Sequence, residues 1–382
     1  MVAEVRRGAS RRSVAEKFGV SKSQVDRWVE RARGKRLDRV DWADRSLGPK
    51  TPHNRSSTEL EEMVLAIRKE LKETSVLGEY GADAIHREMV RRGCEEVAIP
   101  RTINRILDRR GQFDGKRRVR RPAPPKGWYL PKLAEGKAEL DSFDVVEGLV
   151  LEGARNVEVL NGISLHGGLV CSFPRSRITA RITVNCILCH WREVGYPDYV
   201  QFDNDTVFQG PRKVDALGRV ARMALSLGVV PVFAPPRETG FQASIESYNG
   251  RWQSKVWNRF HFESREHLRS QSDKYVRAVR QRAAARIEGA PTRWEVPDGW
   301  QPDYQNPAGM VIFIRRTTDR GTVTLLGRTF AVSQTWPHRL VRAEVKLSEG
   351  QIDFYALRRR DPSYQPLLTS LHYHFPKRPF KE

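Results

Sequence analysis

The sequence predicts a multidomain protein with α-helical helix-turn-helix units, then an α/β core built on a mixed sheet, then a small C-terminal β-barrel. Three observations predict this order. A chain of 382 residues is long enough for several hydrophobic cores. Helical periodicity dominates residues 1–113, and strands alternate with helices from residue 138 onward. After residue 301, short alternating strands follow one another across turns.

The distribution of charge agrees with this division. The net charge is +21, which favours a polyanionic partner such as nucleic acid over a merely cationic surface. Residues 138–258 contain 12 Lys and Arg against 13 Asp and Glu, so the excess lies in the two flanks. We therefore expect the flanks to contact phosphates and the core to use carboxylates.

Residues 1–35 are predicted to form the first helix-turn-helix. In SRRSVAEKFGVSKSQVDRWVERAR, two apolar stripes flank Gly19, and Ser21 is suited to cap the second helix. That second helix would enter the major groove. Its side chains expected to face DNA are Lys22, Ser23, Gln24 and Arg27. Two packed helices without a DNA-binding role are the alternative.

Residues 56–113 are predicted to form a second helix-turn-helix or winged-helix-like unit. STELEEMVLAIRKELKE is an amphipathic helix, and a helix pair follows, with Pro100 at the start of its second member. The residues of that helix expected to face DNA are Arg101, Thr102, Asn104 and Arg105. A solvated basic face is the alternative.

A basic, proline-rich linker is predicted at 114–137, where DGKRRVRRPAPPKGWYLP combines a cationic run with prolines. It would lie along a phosphate backbone or act as a disordered spacer.

The core is predicted at 138–260 from the order three strands, helix, strand, helix, strand, helix. A helical connector is expected at 261–300. The strands MVIFIRRTT, TVTLLGRTFAVS, LVRAEVKLSEG and QIDFYALRR predict the barrel at 301–382.

Three acids in the core stand where chemistry is expected. Asp203 ends the apolar strand of VQFDND, Asp144 lies inside a predicted strand, and Glu246 lies on the third helix. Converging carboxylates need a compensating cation, and oxygen ligands suit Mg²⁺ or Mn²⁺. Such a site suits two-metal phosphodiester chemistry. Each acid alone is also explained as a helix cap or an exposed strand end. Asp141 competes with Asp144 for the first position.

Other classes of protein are disfavoured. Four cysteines are too few for a disulfide scaffold, and CILCH at 186–190 lacks the second ligand pair that zinc requires. Haem attachment is disfavoured because the motif lies in a helical run and no export signal is seen. No apolar run reaches a membrane span, so we expect a cytoplasmic protein that associates with the nucleoid when bound to DNA.

The segments LDSFD, VQFDND and IESYNG resemble the DDE core of retroviral-type integrases and bacterial insertion-sequence transposases. The resemblance covers about 138–260 and implies an RNase H-like fold. It assigns the three catalytic, metal-binding acids to Asp144, Asp203 and Glu246. Asp144 is chosen over Asp141 because the following VVEG fits the family spacing. Asp205 departs from the family, which usually has glycine there.

The resemblance further implies a transposase or integrase that cuts and joins DNA with two Mg²⁺ or Mn²⁺ ions. Its partners would be double-stranded DNA at the element ends and at the target, and it would act as a homo-oligomer on DNA. Arg251 and Lys255 are candidates to hold phosphates, or else lie on a solvated helix face. Two alternatives stay open: a DNA-binding regulator with a degenerate core, and a nuclease that cuts without joining.

Overall fold

The computed structural model describes residues 1–43, 56–113 and 126–380, apart from positions 212, 239 and 377. Residues 114–125 of the predicted linker lie outside the described residues. The chain divides into two compact units, Met1–Glu61 and Glu62–Glu382. None of the described helices is both long and apolar enough to cross a bilayer.

The first unit contains three short helices, and serine caps fix the starts of the second and the third. The Ser10 hydroxyl accepts the Ser13 N–H at 3.1 Å, and Ser21 and Gln24 form a reciprocal capping box. Gly19, with φ +61°, makes the turn between the last two helices. Val14 and Val25 are buried between them. The helices are α1 (Val2–Arg6), α2 (Arg11–Lys17) and α3 (Lys22–Arg31).

Three further helices lie in residues 56–113, and no strand accompanies them in that range. They are α4 (Thr58–Thr74), α5 (Ala82–Arg92) and α6 (Pro100–Arg109). Gly93 ends α5 in the left-handed conformation, and Pro100 is the first residue of α6. Ile103 and Ile106 are fully buried, so α6 presents its opposite side to solvent.

A single nine-stranded mixed sheet organises the rest of the second unit, in the order β11-β10-β9-β6-β5-β4-β1-β2-β3. Its central strands β1, β4, β5 and β6 run parallel, and both flanks are antiparallel. The strands are β1 (Leu140–Leu151), β2 (Arg155–Ser164), β3 (Val170–Arg175), β4 (Tyr199–Phe202), β5 (Val230–Phe233), β6 (Met310–Arg316), β9 (Leu340–Lys346), β10 (Gln351–Ala356) and β11 (Leu367–His372). A separate hairpin comprises β7 (Thr322–Leu325) and β8 (Arg328–Ala331).

Helices cover the sheet, as expected for a sheet whose central strands run parallel. Trp191 of α8 and Met223 of α10 are buried in one hydrophobic cluster, and Tyr248 and Trp252 of α11 in another. The helices of this region are α7 (Pro131–Ala134), α8 (Ala180–Val194), α9 (Thr206–Gln209), α10 (Arg219–Ser226), α11 (Ala243–Lys255), α12 (Arg265–Arg282) and α13 (Ala284–Glu288).

The prediction of a separate C-terminal barrel at 301–382 is wrong. Strand β6 pairs in parallel with β5, through Val232 with Ile312 and Phe233 with Phe313. Strands β9, β10 and β11 then extend the same sheet, and no barrel closes among the described residues. The physical reason is that the apolar residues of β5 and β6 gain burial by pairing with each other, which removes an exposed edge from the core.

Segments predicted as a linker and a connector also contribute to the core. Trp128 and Tyr129, in the described part of the linker, are buried beside Phe241. The predicted connector 261–300 contains α12, which packs against β3, and residue Trp294, which forms an isolated bridge with Tyr196. The folded core is therefore larger than 138–260.

Candidate active site

Two parallel strands bring Asp144 and Asp203 to the same level of the sheet. Leu140 pairs with Tyr199 and Ser142 with Gln201, a constant offset of 59 residues. The same offset places Asp144 level with Asp203 (144 + 59 = 203), just beyond the end of β4. Neighbouring strands lie about 4.8 Å apart, and level residues of parallel strands point to the same face. The two carboxylates therefore face the same space.

Helix α11 supplies the third acid and an amide that contacts the first. Asn249 Nδ2 donates to Asp144 Oδ2 at 2.7 Å, and Asn249 Oδ1 accepts from Asn161 Nδ2 at 2.8 Å. Glu246 lies three residues before Asn249, in the first turn of the helix, and is exposed. A spacing of three residues puts both side chains on the same side of the helix. Glu246 thus lies on the side that faces Asp144.

The helix is fixed on the sheet by buried contacts. The Tyr248 and Ser172 hydroxyls are 2.8 Å apart, and Trp252 Nε1 donates to the Ser272 hydroxyl at 3.3 Å. Since both aromatic side chains are fully buried, the rotation of α11 about its axis is set by packing.

Both sheet carboxylates are held in conditions that favour the neutral form. Burial, followed by the charge of Asp203, raises the pKa of Asp144 to about 6, with a smaller contribution from Glu246. Hydrogen bonds from the Val145 N–H and from Asn249 act in the opposite direction. Burial also raises the pKa of Asp203, and the charge of Asp205 adds to the effect. A cation at this place would relieve the repulsion.

Asp141, the competing first acid, has a different environment. Its carboxylate forms a bidentate ion pair with Arg293, at 2.9 and 2.7 Å, and accepts the Trp191 indole N–H at 2.9 Å. The charge of Arg293 keeps the pKa of Asp141 below its ordinary value despite complete burial. Because Asp141 and Asp144 are three residues apart on one strand, their side chains lie on opposite faces of the sheet.

The turn after β4 accommodates Asp205 without strain. Asp205 has φ −64°, so the position does not require glycine. Its carboxylate caps α9 by accepting the Val207 N–H at 2.7 Å, and its own N–H donates to Asp203 Oδ1 at 2.9 Å. Asp205 therefore orders the turn that holds Asp203.

The oxygen donors suit a hard cation, but the acids are not gathered into a finished site. No three His, Cys, Asp or Glu side chains of the described residues lie close enough together to hold one ion. The raised pKa of Asp144, caused in part by the acids around it, is the observation that fits a divalent ion at the Asp144–Asp203 pair.

The residues predicted to face DNA on α3 are all exposed, and three of them also make contacts within the helix and its cap, including Ser23, whose hydroxyl lies 3.1 Å from the Ser21 hydroxyl. Gln24 Oε1 accepts the Ser21 N–H at 3.2 Å, as part of the capping box. Lys22 lies 3.7 Å from Asp26 in an ion pair. Ser23 and Arg27 lie on the same exposed surface.

The candidates on α6 and α11 have different positions. Arg101, Asn104 and Arg105 are exposed, whereas Thr102 is half-buried. Arg251 is exposed on α11. Lys255 instead directs its ammonium to the Gly78 carbonyl, at 3.3 Å, and so connects α11 to the chain between α4 and α5.

Sequence reasoning missed three polar residues of the site: Asn161, Asn249 and Arg315. Asn161 is fully buried on β2 opposite Asp144, and its Oδ1 has no hydrogen-bond partner among the described residues. Arg315 of β6 donates to Asn204, next to Asp203. Asn161 could have been found from the sequence, because it is a polar residue in an apolar stretch of a predicted strand. Nothing local marks Arg315.

Comparison with protein families gives a match at the N-terminal end of the chain. Residues 1–40 match the family model of a homeodomain-like domain. No curated protein matches the chain.

Among solved structures, the chain is similar to retroviral integrases. The magnesium-bound catalytic core of HTLV-2 integrase is 13% identical, with a TM-score of 0.26, over 41% of this chain and 87% of that one. The simian T-cell lymphotropic virus intasome bound to the PP2A regulatory subunit B56 gamma is 13% identical, with a TM-score of 0.30, over 70% and 87%. The BIV integrase core is 16% identical, with a TM-score of 0.26, over 35% and 79%.

Proposed function

We propose that the protein is a DDE transposase or integrase that cuts and joins DNA strands in the presence of a divalent metal ion. The observation that carries the proposal is the register of β1 and β4, which sets Asp144 level with Asp203, beneath a helix that carries Glu246. The homeodomain-like unit would bind the element ends, and α6 would add a second basic surface.

In this proposal the three acids hold the ions, and no side chain acts as a nucleophile. Asp144 and Asp203 would bind Mg²⁺ or Mn²⁺ together, and Glu246 would complete a second site. Bound metal would activate the attacking oxygen and neutralise charge at the phosphate. Asn249 keeps one oxygen of Asp144 in a fixed direction through its 2.7 Å hydrogen bond.

The reaction would have two in-line steps. Water first attacks a phosphodiester at the element end and frees a 3′-hydroxyl. That hydroxyl then attacks a phosphodiester of the target, forms the new bond and expels a target 3′-hydroxyl. The exposed Arg251 lies on α11 five residues after Glu246, where its guanidinium is available to a DNA phosphate.

The test is incubation of the full-length protein with its flanking DNA ends, a target plasmid and Mg²⁺, with joined 3′ ends as the product. Asp203→Asn should reduce joining by at least about 10³-fold, because it removes a metal ligand, while end binding stays within about twofold. Asp205→Asn is the matched control and should retain joining, because asparagine keeps both a side-chain oxygen that can cap α9 and the backbone N–H that donates to Asp203. Near wild-type joining by Asp203→Asn would contradict the proposal. Cleavage of DNA by the wild type without joined strands would identify the protein as a nuclease.

A DNA-binding regulator is the second candidate. It is favoured by one observation, that no three acids of the described residues lie close enough to share an ion. In that case neither cleavage nor joining would occur with Mg²⁺ or Mn²⁺, while binding to the element ends would persist in Asp203→Asn.

A further inference from the structure

A buried arginine from the C-terminal strands contacts the turn that carries Asp203. Arg315 lies near the end of β6 and is 8% exposed. Its Nη2 donates to Asn204 Oδ1 at 2.7 Å, and its Nη1 donates to the carbonyls of Ile314 and Ala234, at 2.9 and 3.3 Å. Asn204 also donates from Nδ2 to the Ala234 carbonyl, at 2.7 Å. One guanidinium and one amide thus close a ring of hydrogen bonds around the turn.

The charge of Arg315 is costly to bury, and its hydrogen bonds go to neutral oxygens. Burial lowers the pKa of the guanidinium to about 10. A buried guanidinium normally pairs with a carboxylate, as Arg342 does with Glu344 on the neighbouring strand β9, at 2.9 Å. The Arg315 guanidinium instead donates hydrogen bonds to Asn204, Ala234 and Ile314. Asn204 lies in the turn after β4, Ala234 lies at the end of β5, and Ile314 lies in β6 itself.

The contacts continue from Asn204 to the candidate metal ligand. Asn204 lies between Asp203 and Asp205 in the chain, and the Asp205 N–H donates to Asp203 Oδ1 at 2.9 Å. Fixing the Asn204 side chain fixes the backbone on both sides of it. The turn that carries Asp203 is therefore in contact, through Asn204, with a residue more than one hundred positions later in the sequence.

We propose that Arg315 is a positioning residue for the Asp203 turn, so that the C-terminal strand β6 forms part of the catalytic unit. This assignment rests on the proposed function, because it takes Asp203 to be a metal ligand. Arg315 acts through Asn204 and does not touch the metal or the DNA. Groups that orient a metal ligand typically change metal affinity 10- to 100-fold when they are removed.

The experiment uses the full-length protein and four variants. Arg315→Met removes the guanidinium, Arg315→Lys keeps a charge without the fork, and Asn204→Ala removes the amide that accepts the hydrogen bond of Arg315. Arg342→Met is the matched control, since Arg342 is also a buried arginine of the same sheet but contacts Glu344 and the Tyr129 carbonyl, away from the turn. Asn204→Ala keeps the test valid if Arg315→Met fails to fold.

Two measurements are made without DNA. The first is hydrogen exchange of the Asp205 and Val207 amides in the absence of metal, which reports whether the turn is ordered. The second is the apparent affinity for Mn²⁺, measured from the rise in melting temperature as Mn²⁺ alone is added. We expect exchange at both amides to rise about tenfold, and Mn²⁺ affinity to fall about 10- to 100-fold, in Arg315→Met and Asn204→Ala. Arg315→Lys should lie between these variants and wild type, and Arg342→Met should resemble wild type.

The outcomes separate the two proposals. Unchanged exchange in both Arg315→Met and Asn204→Ala overturns the positioning role, even if the wild type binds Mn²⁺. Equal effects in Arg342→Met also overturn it, because they would show a general loosening of the sheet. If Mn²⁺ fails to stabilise the wild type, or stabilises Asp203→Asn equally, the proposed function is overturned. The contact between Arg315 and Asn204 would then have no role in metal binding.

Discussion

Asp141 and Asp144 show how the position of a single residue on a strand decides its role. They are three residues apart on β1 and therefore lie on opposite faces. Asp141 is paired with Arg293, whereas Asp144 faces Asp203 and has a pKa raised to about 6. The sequence predicted two acids near one place. It did not predict that Arg293, which lies 152 residues away in the sequence, pairs with Asp141.

The two acids should respond in opposite ways to neutralisation. Asp141→Asn leaves Arg293 buried without its carboxylate, and we expect it to lower the free energy of unfolding by about 3–5 kcal/mol. Asp144→Asn removes one of two repelling carboxylates, and without metal it should leave the stability unchanged or higher. Urea unfolding at pH 7 with chelator measures both. Equal losses in the two variants would contradict the assignment of Asp144 to the site.

The raised pKa of Asp144 also predicts a pH dependence. Between its unfolded value of 3.8 and about 6, the folded state keeps a proton that the unfolded state has lost. The contribution of Asp144 to the free energy of unfolding is therefore fully present below pH 4 and is lost as the pH rises to 6. We expect the stability of the metal-free wild type relative to Asp144→Asn to fall by at most about 3 kcal/mol over this range.

The difference between the two proteins is the quantity to measure, because His190 acts in the opposite direction. Burial lowers the pKa of His190 to about 4, so its contribution increases with pH up to its unfolded value of 6.5. His190 is common to both proteins and cancels. A flat difference between pH 4 and 6 would show that Asp144 titrates normally.

At the scale of one element, α3 combines a capping role with a predicted DNA-binding role. In the sequence, Ser21 predicted the start of the helix, and the helical periodicity placed Gln24 among the side chains that face outward. The pattern did not indicate that the Gln24 side chain also accepts the Ser21 N–H. Exposure alone therefore does not show which side chains on the outer face of α3 are available to contact DNA bases.

Two substitutions separate these roles. Gln24→Ala removes the capping contact and should cost about 1 kcal/mol of stability, whereas Gln24→Glu keeps a capping box. If Gln24 reads bases, both variants should lower the ratio of end binding to random-DNA binding, by about 5- to 100-fold. Arg27→Ala is the comparison on the same surface. Competition binding at constant salt measures the ratios, and a loss confined to Gln24→Ala would leave capping as its role.

At the scale of the whole second unit, strand periodicity predicted the strands but not their partners. The predicted order of strands and helices in 138–260 agrees with the structure from β1 to α11, except that the short helix α9 between β4 and α10 was not predicted. The later strands were also expected, yet β6 pairs in parallel with β5. Alternation of apolar residues shows which face of a strand is buried, and contains no information about which distant strand lies beside it. The barrel was inferred from adjacency in sequence alone.

A fragment of residues 138–260 should therefore fail to fold independently. It lacks Arg293, the partner of Asp141, and it exposes the edge of β5 that pairs with Ile312 and Phe313. It also lacks Trp128 and Tyr129. We expect no cooperative thermal transition and a tendency to aggregate, whereas a fragment of residues 126–380 should melt cooperatively. Circular dichroism and light scattering on both fragments test this, and cooperative melting of the shorter one would contradict it.

The pairing of β5 with β6 has a consequence for synthesis on the ribosome. Strand β5 ends at Phe233 and β6 begins at Met310, so the 76 residues between them (234–309) must be added before the partner strand starts to emerge. At 5–20 residues per second this takes about 4 to 15 s, during which an apolar strand edge stays open in the nascent chain. Chains interrupted between Glu246 and Met310 would contain all three acids and still lack Arg315. We expect such an incomplete translation product to be bound by chaperones or degraded, because its apolar strand edge is exposed.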